Sequence, residues 1–451
     1  MLNAEGVAAA AKMLLEFRQA ERGRLNRIRS YLKSDPSRRP EWVPAGAPVE
    51  VQRIAAISRV NMMKFVVNSR VQAMYVDGYR TPRSAQDVPV WDTWQRNKWD
   101  LRQIGVHRAA LGYGVSYATV LPGRPVPVMR GVSPRAMTAV YSDDNDDWPV
   151  LALEQRRTSW RLYDETHIYP LQGTDELLVP AGAPMEHKAV MDGEPVCPVV
   201  RYRDTDDLDD PIVGVVEPLL DLQDQINVTS FGLLVAQHYG AFRQRYILGW
   251  LAETEQEKLK AGASKMWTFE DPEVKVGEFG QTDLKGYIES REATLRHIAT
   301  VSQTPAHELL GQLVNLSAEA LAAAEAGHRR AVVENQTAVG EAHEQTLTLA
   351  GTYQGLEPEP SASVRWRDTE ARSLGMVADA LGKMATMLGI PVKALWERIP
   401  GVTDDDLERW TTLAVEGDAL TQLTATLDRQ AAAAQPAPAP APAPEPVPAG
   451  A

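Results

Sequence analysis

Cysteine is almost absent: the chain holds one, Cys197, in 451 residues, so no disulfide can form within it and stability must come from packing. Beside Val196 and Val199, that thiol reads as a small buried apolar residue. Positive charge is in deficit as well. Lys and Arg total 47 against 60 Asp and Glu, a net charge of −13. That balance excludes a protein that grips nucleic acid over a broad basic surface, but not one that encloses a polyanion and lets it slide. Copies carrying this charge repel one another unless their contacts are locally good. No uncharged apolar run approaches the roughly 18 residues that a bilayer span needs. The start of the chain, with Glu5 and Lys12 around an alanine run, lacks the basic beginning and apolar core of a leader. Together these features predict a soluble intracellular protein.

Catalytic constellations are missing too. His307-Glu308-Leu309-Leu310-Gly311 opens like a zinc helix, but Gly311 stands where a second imidazole is required one turn on. Asp143, Asn145, Asp147 and Glu154 have the spacing of a calcium loop. Trp148 replaces its turn glycine and the flanks read as strands, so a solvated β-turn is the reading. Gly112-Tyr113-Gly114 has no third glycine and no P-loop lysine after it, and no Gly-x-Ser-x-Gly elbow occurs. The acids Asp204, Asp206, Asp207, Asp209 and Asp210 read as a solvated loop before a helix rather than as paired metal carboxylates. No cofactor, metal or enzymatic activity is implied.

Helical periodicity is abundant, and the expected class is α+β, predominantly helical. Apolar residues recur at helical spacing from Leu2 to Leu32, and Ser34–Pro48 then breaks the pattern with four prolines. Val51–Met74 reads as one further helix leading into a strand and turn at Tyr75-Val76-Asp77-Gly78. Trp91, Trp94 and Leu101 mark another, ending before Gly112. Between Val115 and Tyr202 the runs become short and β-like, at Ser116–Leu121, Met137–Tyr141, Val150–Gln155 and Thr166–Tyr169. Ile212 to about Gly240 is a long helix with Pro218 near its start. Ala241–Thr282 is mixed, with strand signals at Lys265–Phe269 and Val274–Phe279. Asp283–Val301 is helical and is stopped by Thr304-Pro305. Ser317 is placed to cap a helix running to about Leu349, roughly 50 Å long at about 1.5 Å per residue. Helices at Thr369–Leu388 and Thr403 to about Gln430 follow. In Gln435–Ala451 seven prolines alternate mostly with alanine, an extended tail with nothing to bury.

Three separated blocks carry a resemblance. The first is Pro198-Val199-Val200-Arg201-Tyr202, through the acidic turn to Gly214 and Glu217-Pro218-Leu219-Leu220-Asp221-Leu222-Gln223-Asp224-Gln225-Ile226-Asn227. It continues to Ala241-Phe242-Arg243-Gln244-Arg245-Tyr246-Ile247-Leu248-Gly249. The second is Ile298–Gly311 with Asn315-Leu316-Ser317-Ala318-Glu319-Ala320-Leu321. The third is Val364-Arg365-Trp366-Arg367-Asp368-Thr369, with Ser373 and Gly389-Ile390-Pro391 beyond it. Trp91-x-x-Trp94-x-x-Asn97 and Leu111-Gly112-Tyr113-Gly114 agree more loosely. None is a chemical signature. In this order and spacing they resemble the portal protein family of tailed bacteriophages, siphophage type, in the branch common among phages of actinobacteria. The resemblance covers most of residues 1–430 and leaves out the tail.

The resemblance implies a portal fold of wing, stem, clip and crown regions, closed as a dodecameric ring at the capsid vertex, through which double-stranded DNA is packaged and ejected. It lays residues 1–210 out as wing, 211–240 as the first stem helix, 241–282 as clip and 283–302 as the second stem helix. Residues 303–316 become the channel loop, 317–350 a long wing and crown helix, and 351–430 the remaining wing and crown helices, with 431–451 the tail. It makes Gln303, Leu309, Leu310, Gly311, Gln312, Leu313, Val314 and Asn315 the loop facing DNA. It makes Arg243, Arg245, Lys258, Lys260 and Lys265 a clip surface for the terminase large subunit and later for head–tail adaptor proteins. Further partners implied are copies of the chain itself, the major capsid protein and scaffold. The implied location is the virion, and the host cytoplasm during assembly. The residues of Leu309–Ala318 carry no charge, which suits a surface that DNA slides past and equally suits packing between stem and wing. Mixed charge in the clip segment suits exchange of partners and equally an ordinary solvated surface. The Ala- and Leu-rich stretches Ala318–Ala324 and Ala378–Leu388 suit contacts between subunits or an internal core.

Overall fold

The apolar stripe of the first helical run folds as a single helix, α1 (Ala4–Lys33), with Val7, Ala11, Leu14, Leu15, Leu25 and Ile28 buried. The computed structural model describes residues 1–33, 43–208, 212–240, 245–248, 275–278, 283–311, 318–367, 374–399 and 402–417, apart from positions 45, 83, 85, 144, 145 and 403. The chain divides into two compact units, one from Met1 to Arg367 and one from Asp368 onward. The predicted tail falls outside the described residues.

The run expected as one helix over Val51–Met74 is two, α2 (Val49–Ile57) and α3 (Met62–Gln72). The break comes from Asn61, whose side chain accepts a hydrogen bond from the Lys64 amide and so starts a new helix. After strand β1 (Val76–Arg80), the tryptophan-rich run also divides, into α4 (Trp91–Arg96) and α5 (Trp99–Tyr113). Between them Lys98 is left-handed at φ 53°, and the Trp94 indole N–H donates to Asp100 Oδ1 at 2.8 Å across the corner. Helix α5 passes through Gly112 and ends at Gly114, φ 90°.

The predicted runs appear as β2 (Val115–Leu121), β4 (Met137–Val140), β5 (Leu151–Gln155) and β7 (His167–Gly173), the last running past its expected end at Tyr169, and the strands β3 (Val128–Val132), β6 (Trp160–Tyr163) and β8 (Leu178–Pro180) join them. Shorter pieces β9 (Met185–Glu186), β10 (Val190–Met191) and β11 (Glu194–Pro195) precede β12 (Val199–Arg203). Strands β4 to β8 form an antiparallel meander in sequence order, and β12-β2-β3 form a second antiparallel sheet. The period of two divides the meander's faces. Across it Leu153 pairs Leu162 and Leu162 pairs Tyr169, and this row packs under α1. The alternate row, Ala152, Tyr163 and Ile168, packs with Cys197, Val199, Tyr117 and Met137 on the other side. Cys197 is thus a buried core residue, and burial pushes its thiol pKa well up.

The helix expected from Ile212 begins later. A 3-10 turn at Glu217–Leu219 leads into α6 (Leu220–Gly240). Before it the backbone of Gly214 lies against that of Gly114, so close that a Cβ on Gly214 would sit 2.5 Å from the Gly114 nitrogen. The Val215 amide donates to Leu111 O at 2.9 Å. This segment is therefore committed to the end of α5 and cannot coil. Strands β13 (Arg245–Leu248) and β14 (Lys275–Glu278) pair antiparallel between α6 and the next described helix, α7 (Lys285–Val301). A short α8 (Ala306–Leu310) and the long α9 (Ala318–Thr352) follow. At 35 residues, α9 spans about 52 Å. It lays Val332, Val339, Leu347 and Leu349 into the main core with Trp94, Trp99 and Met74. Strand β15 (Ser363–Trp366) returns to pair with β1, Tyr79 opposite Val364. Ser317, expected to cap α9, lies outside the described residues.

The second unit holds α10 (Leu374–Leu388), α11 (Val392–Trp396) and α12 (Asp404–Gly417). Trp396 meets Trp410 edge to face at 6.0 Å. The parts of the two predicted helices that are described are helical. Among the described residues, no helix is long and apolar enough to cross a membrane.

Candidate functional site

Helices α6 and α7 pack against each other. Gly232 permits close approach: a Cβ there would lie 2.9 Å from the Tyr287 ring. Ile226, Leu295, Ile298 and Ala299 are buried, whereas Val228, Tyr287 and Ile288 remain exposed. The ribbon between the two helices sets Arg245 opposite Glu278 and Leu248 opposite Lys275. Of the predicted docking residues, Arg245 is thereby placed on a strand. Arg243, Lys258, Lys260 and Lys265 lie outside the described residues.

Beyond α7 the chain turns sharply. Ser302 Oγ donates to Ile298 O at 2.7 Å, Gln303 takes the left-handed conformation at φ 52°, and Pro305 precedes α8. Gly311 ends α8 at φ 64° with open space around it. Gln303 and Gly311 are exposed and Leu310 is half-buried. Leu309 departs from the expectation that it faces a channel: it is 7% exposed and belongs to the main core. The reason is local. A single helical turn between Pro305 and Gly311 puts Leu309 on the inward side while Glu308 faces out and accepts from Ser69 Oγ at 3.0 Å. Gln312, Leu313, Val314 and Asn315 lie outside the described residues.

The turn is held from beneath by a buried polar group that sequence reading missed. Arg70 of α3 donates from Nη2 to Ser302 O at 2.8 Å and from Nη1 to Asn335 Oδ1 at 3.0 Å. Asn335 of α9 in turn donates to both the carbonyl and the Oδ1 of Asp204, at 3.0 and 2.8 Å. All three side chains are buried. Burial pushes the Asp204 carboxyl up to about 7 against the opposing pull of Arg70, and burial likewise lowers the Arg70 pKa. His328 of α9 donates from Nδ1 to Gln303 O at 3.2 Å. Asp204 was expected in a solvated acidic loop. It is instead inside, 3% exposed, because the end of β12 is tied to Gly114 O through its amide.

A second buried cluster joins α5, β12 and α9. His107 Nε2 and His343 Nε2 lie 2.8 Å apart, His343 Nδ1 meets the Tyr202 hydroxyl at 3.1 Å, and that hydroxyl meets Thr346 Oγ1 at 2.7 Å. The Trp94 ring packs on His343 at 5.0 Å. Burial pushes His107 down to about 4 and His343 well below its usual range, so both imidazoles are neutral near pH 7. The buried titratable groups described are thus hydrogen-bonded within two networks, one at Arg70 and one at His343. Glu154, the last residue of the calcium-like spacing, is also inside. It accepts from Arg130 and from the Tyr163 hydroxyl. Among the described residues, no group of three or more His, Cys, Asp or Glu is placed to hold a metal.

Comparison with known proteins places the chain in a family. The model of the family described as phage portal protein, SPP1 Gp6-like, matches residues 13–416. The chain is 24% identical over 399 residues to the portal protein of Mycobacterium phage L5, covering 83% of this chain and 81% of that protein. It is 24% identical over 381 residues to the portal protein of Mycobacterium phage D29, covering 79% and 77%. Among solved structures, a chain from the virion of a native gene transfer agent particle superposes with a TM-score of 0.49 at 17% identity, covering 81% of this chain and 99% of that one.

Proposed function

Because the chain belongs to the SPP1 Gp6-like phage portal protein family, a family of structural rather than catalytic proteins, we propose that its copies close into a ring at the capsid vertex, most simply a dodecamer, around a channel for double-stranded DNA. The observation that carries this reading is the path of the chain from α6 through the β13–β14 ribbon to α7, the sharp turn at Gln303 and the long α9. Residues 1–210 form the wing, α6 and α7 the stem, and residues 241–282 the clip. Residues 303–316 form the channel loop, and α9 with the later helices spans wing and crown. A heterologous contact that closes makes such a ring, and exposed Val228, Tyr287 and Ile288 on the stem pair suit local contacts that offset the repulsion between copies.

DNA must be guided without being held. Phosphate contacts strengthen with each charge neutralised, so a bore rich in arginine would stall transit. The uncharged run Leu309–Ala318 avoids that, with Leu309 serving as its anchor in the core and the residues after Gly311 as its contact surface. The clip docks the terminase large subunit and afterwards the head–tail adaptors. Capsid protein and scaffold meet the outer face, first in the host cytoplasm and finally in the virion. Native mass measurement with electron microscopy tests the ring: a species of about 600 kDa with a central hole, from a chain of 49.7 kDa, is expected. A stable monomer that also fails to enter procapsids would refute it. Leu313→Lys should slow packaging while rings still assemble. Normal packaging by that variant removes the loop from the channel.

A further inference from the structure

We propose that Arg70 is the positioning residue of the channel loop, holding the turn from which residues 303–316 depart in register with α9 and with the end of β12. This deepens, and rests on, the reading of that loop as lining the channel.

Arg70 is 7% exposed and its Nε has no hydrogen-bond partner among the described residues. Buried ion pairs are weak evidence for stability, since an apolar residue of similar size often serves as well or better. A buried arginine that leaves one donor unsatisfied is therefore poorly explained as core filling. What it does achieve is geometric. Its two terminal nitrogens bridge Ser302 O and Asn335 Oδ1, and Asn335 passes the link to Asp204. Four elements far apart in sequence are thereby locked at one point: α3, the end of β12, α9, and the turn between α7 and α8.

The acceptor on the loop side is equally telling. Ser302 O belongs to the residue that ends α7, and the next residue, Gln303, sits at φ 52°. That region disfavours side chains with a Cβ and persists only where surroundings impose it. The Gln303 carbonyl is taken by His328 from α9, and Ser302 Oγ contacts Thr304 Oγ1 at 2.9 Å. Successive carbonyls at the base of the loop are thus held by α3 and by α9. A loop that must stand at a fixed radius in a ring needs such a base, because a small rotation there swings everything beyond it.

The test is amide hydrogen exchange on the full-length assembled protein, comparing residues 302–311 with residues 151–171 of the meander. Arg70→Met keeps the volume and removes both bonds. Arg70→Met combined with Asp204→Asn also removes the acid that would be left alone, and serves if the single variant folds poorly. Exchange in 302–311 should rise about tenfold or more with the meander unchanged, and Arg70→Lys, which can satisfy one acceptor but not both, should fall between. Unchanged exchange at 302–311, or a rise shared equally by the meander, would overturn the assignment. DNA packaging is measured on the same variants. Loosened amides with normal packaging would keep Arg70 as the anchor but remove the loop from the channel, so the two readings fail separately.

Discussion

The meander under α1 and the core around α9 are built on different principles. Under α1 the cluster is apolar and aromatic, from Val7, Leu14 and Leu15 to Leu153, Leu162 and Leu171, the buried acids Glu154 and Asp164 are satisfied within the meander by Tyr163 and Tyr169, and the strands β4 to β8 pair in chain order. Around α9 the buried surface is interrupted by His107, His343, Tyr202 and Thr346 at one level and by Arg70, Asn335 and Asp204 at another, joining segments more than a hundred residues apart. Apolar packing is tolerant of sliding as long as volume and pattern are kept. Hydrogen-bonded groups in a dry core have one register in which they are satisfied. The first region needs only to be stable, whereas the second must also hold a long helix and a loop base in fixed positions.

Substitutions can break that contrast or sharpen it. Leu162→Ala in the meander should have the largest effect, a loss of about 3 kcal/mol from the transfer and cavity terms together. It should appear as a lower denaturation midpoint at every pH. His343→Leu in the α9 core should cost less at pH 8, about 1–2 kcal/mol, because Tyr202 keeps Thr346 while His107 loses its partner. Its signature lies in acid. Both imidazoles are depressed in the folded state, so the unfolded chain binds more protons between about pH 6.5 and pH 4 and the wild-type protein loses stability as pH falls through that window. The variant should have a flatter acid limb, and an acid limb identical to wild type would contradict the neutral assignment. Asn61→Ala, which removes the cap of α3, should cost about 1 kcal/mol, measured by thermal unfolding. Smallest of all, truncation after Gln430 should leave both the midpoint and ring formation unchanged. Loss of the oligomer would show that the tail is structural.

How far the fold was legible follows from the same contrast. The meander strands β4, β5 and the first half of β7 were visible as short runs between Pro, Gly and Asp clusters, whereas β6 and β8 were not named, and α1, α7 and α9 were visible as long periodic stripes. The two divided helices were not. Val51–Met74 keeps its apolar period through the break, and only the bond from Lys64 to Asn61 shows that a new helix starts there. The late start of α6 was hidden because it depends on Gly214 meeting Gly114, a hundred residues earlier. Of the site, the loop and the ribbon were placed through family resemblance, not through chemistry. Leu309 could read as facing a channel or as packed inside, because composition cannot say which way one turn of helix faces, and the fold buries it. Arg70 and Asn335 left no signal at all, since a lone arginine and asparagine on helices read as solvated. Asp204 was masked by the exposed acids that follow it.

What the sequence determined by itself is whatever depends on local period and on what is missing: a helix-dominated α+β chain with a β insert, in which no internal disulfide can form. These follow from side-chain spacing, which acts within a few residues. The tertiary structure decided which polar residues are inside and whom they meet. A buried donor or acceptor is stable only opposite a partner, and here the partners of Arg70, His107 and Asp204 are brought to them by α9 and by the turn at Ser302. Those meetings exist only once the chain has closed.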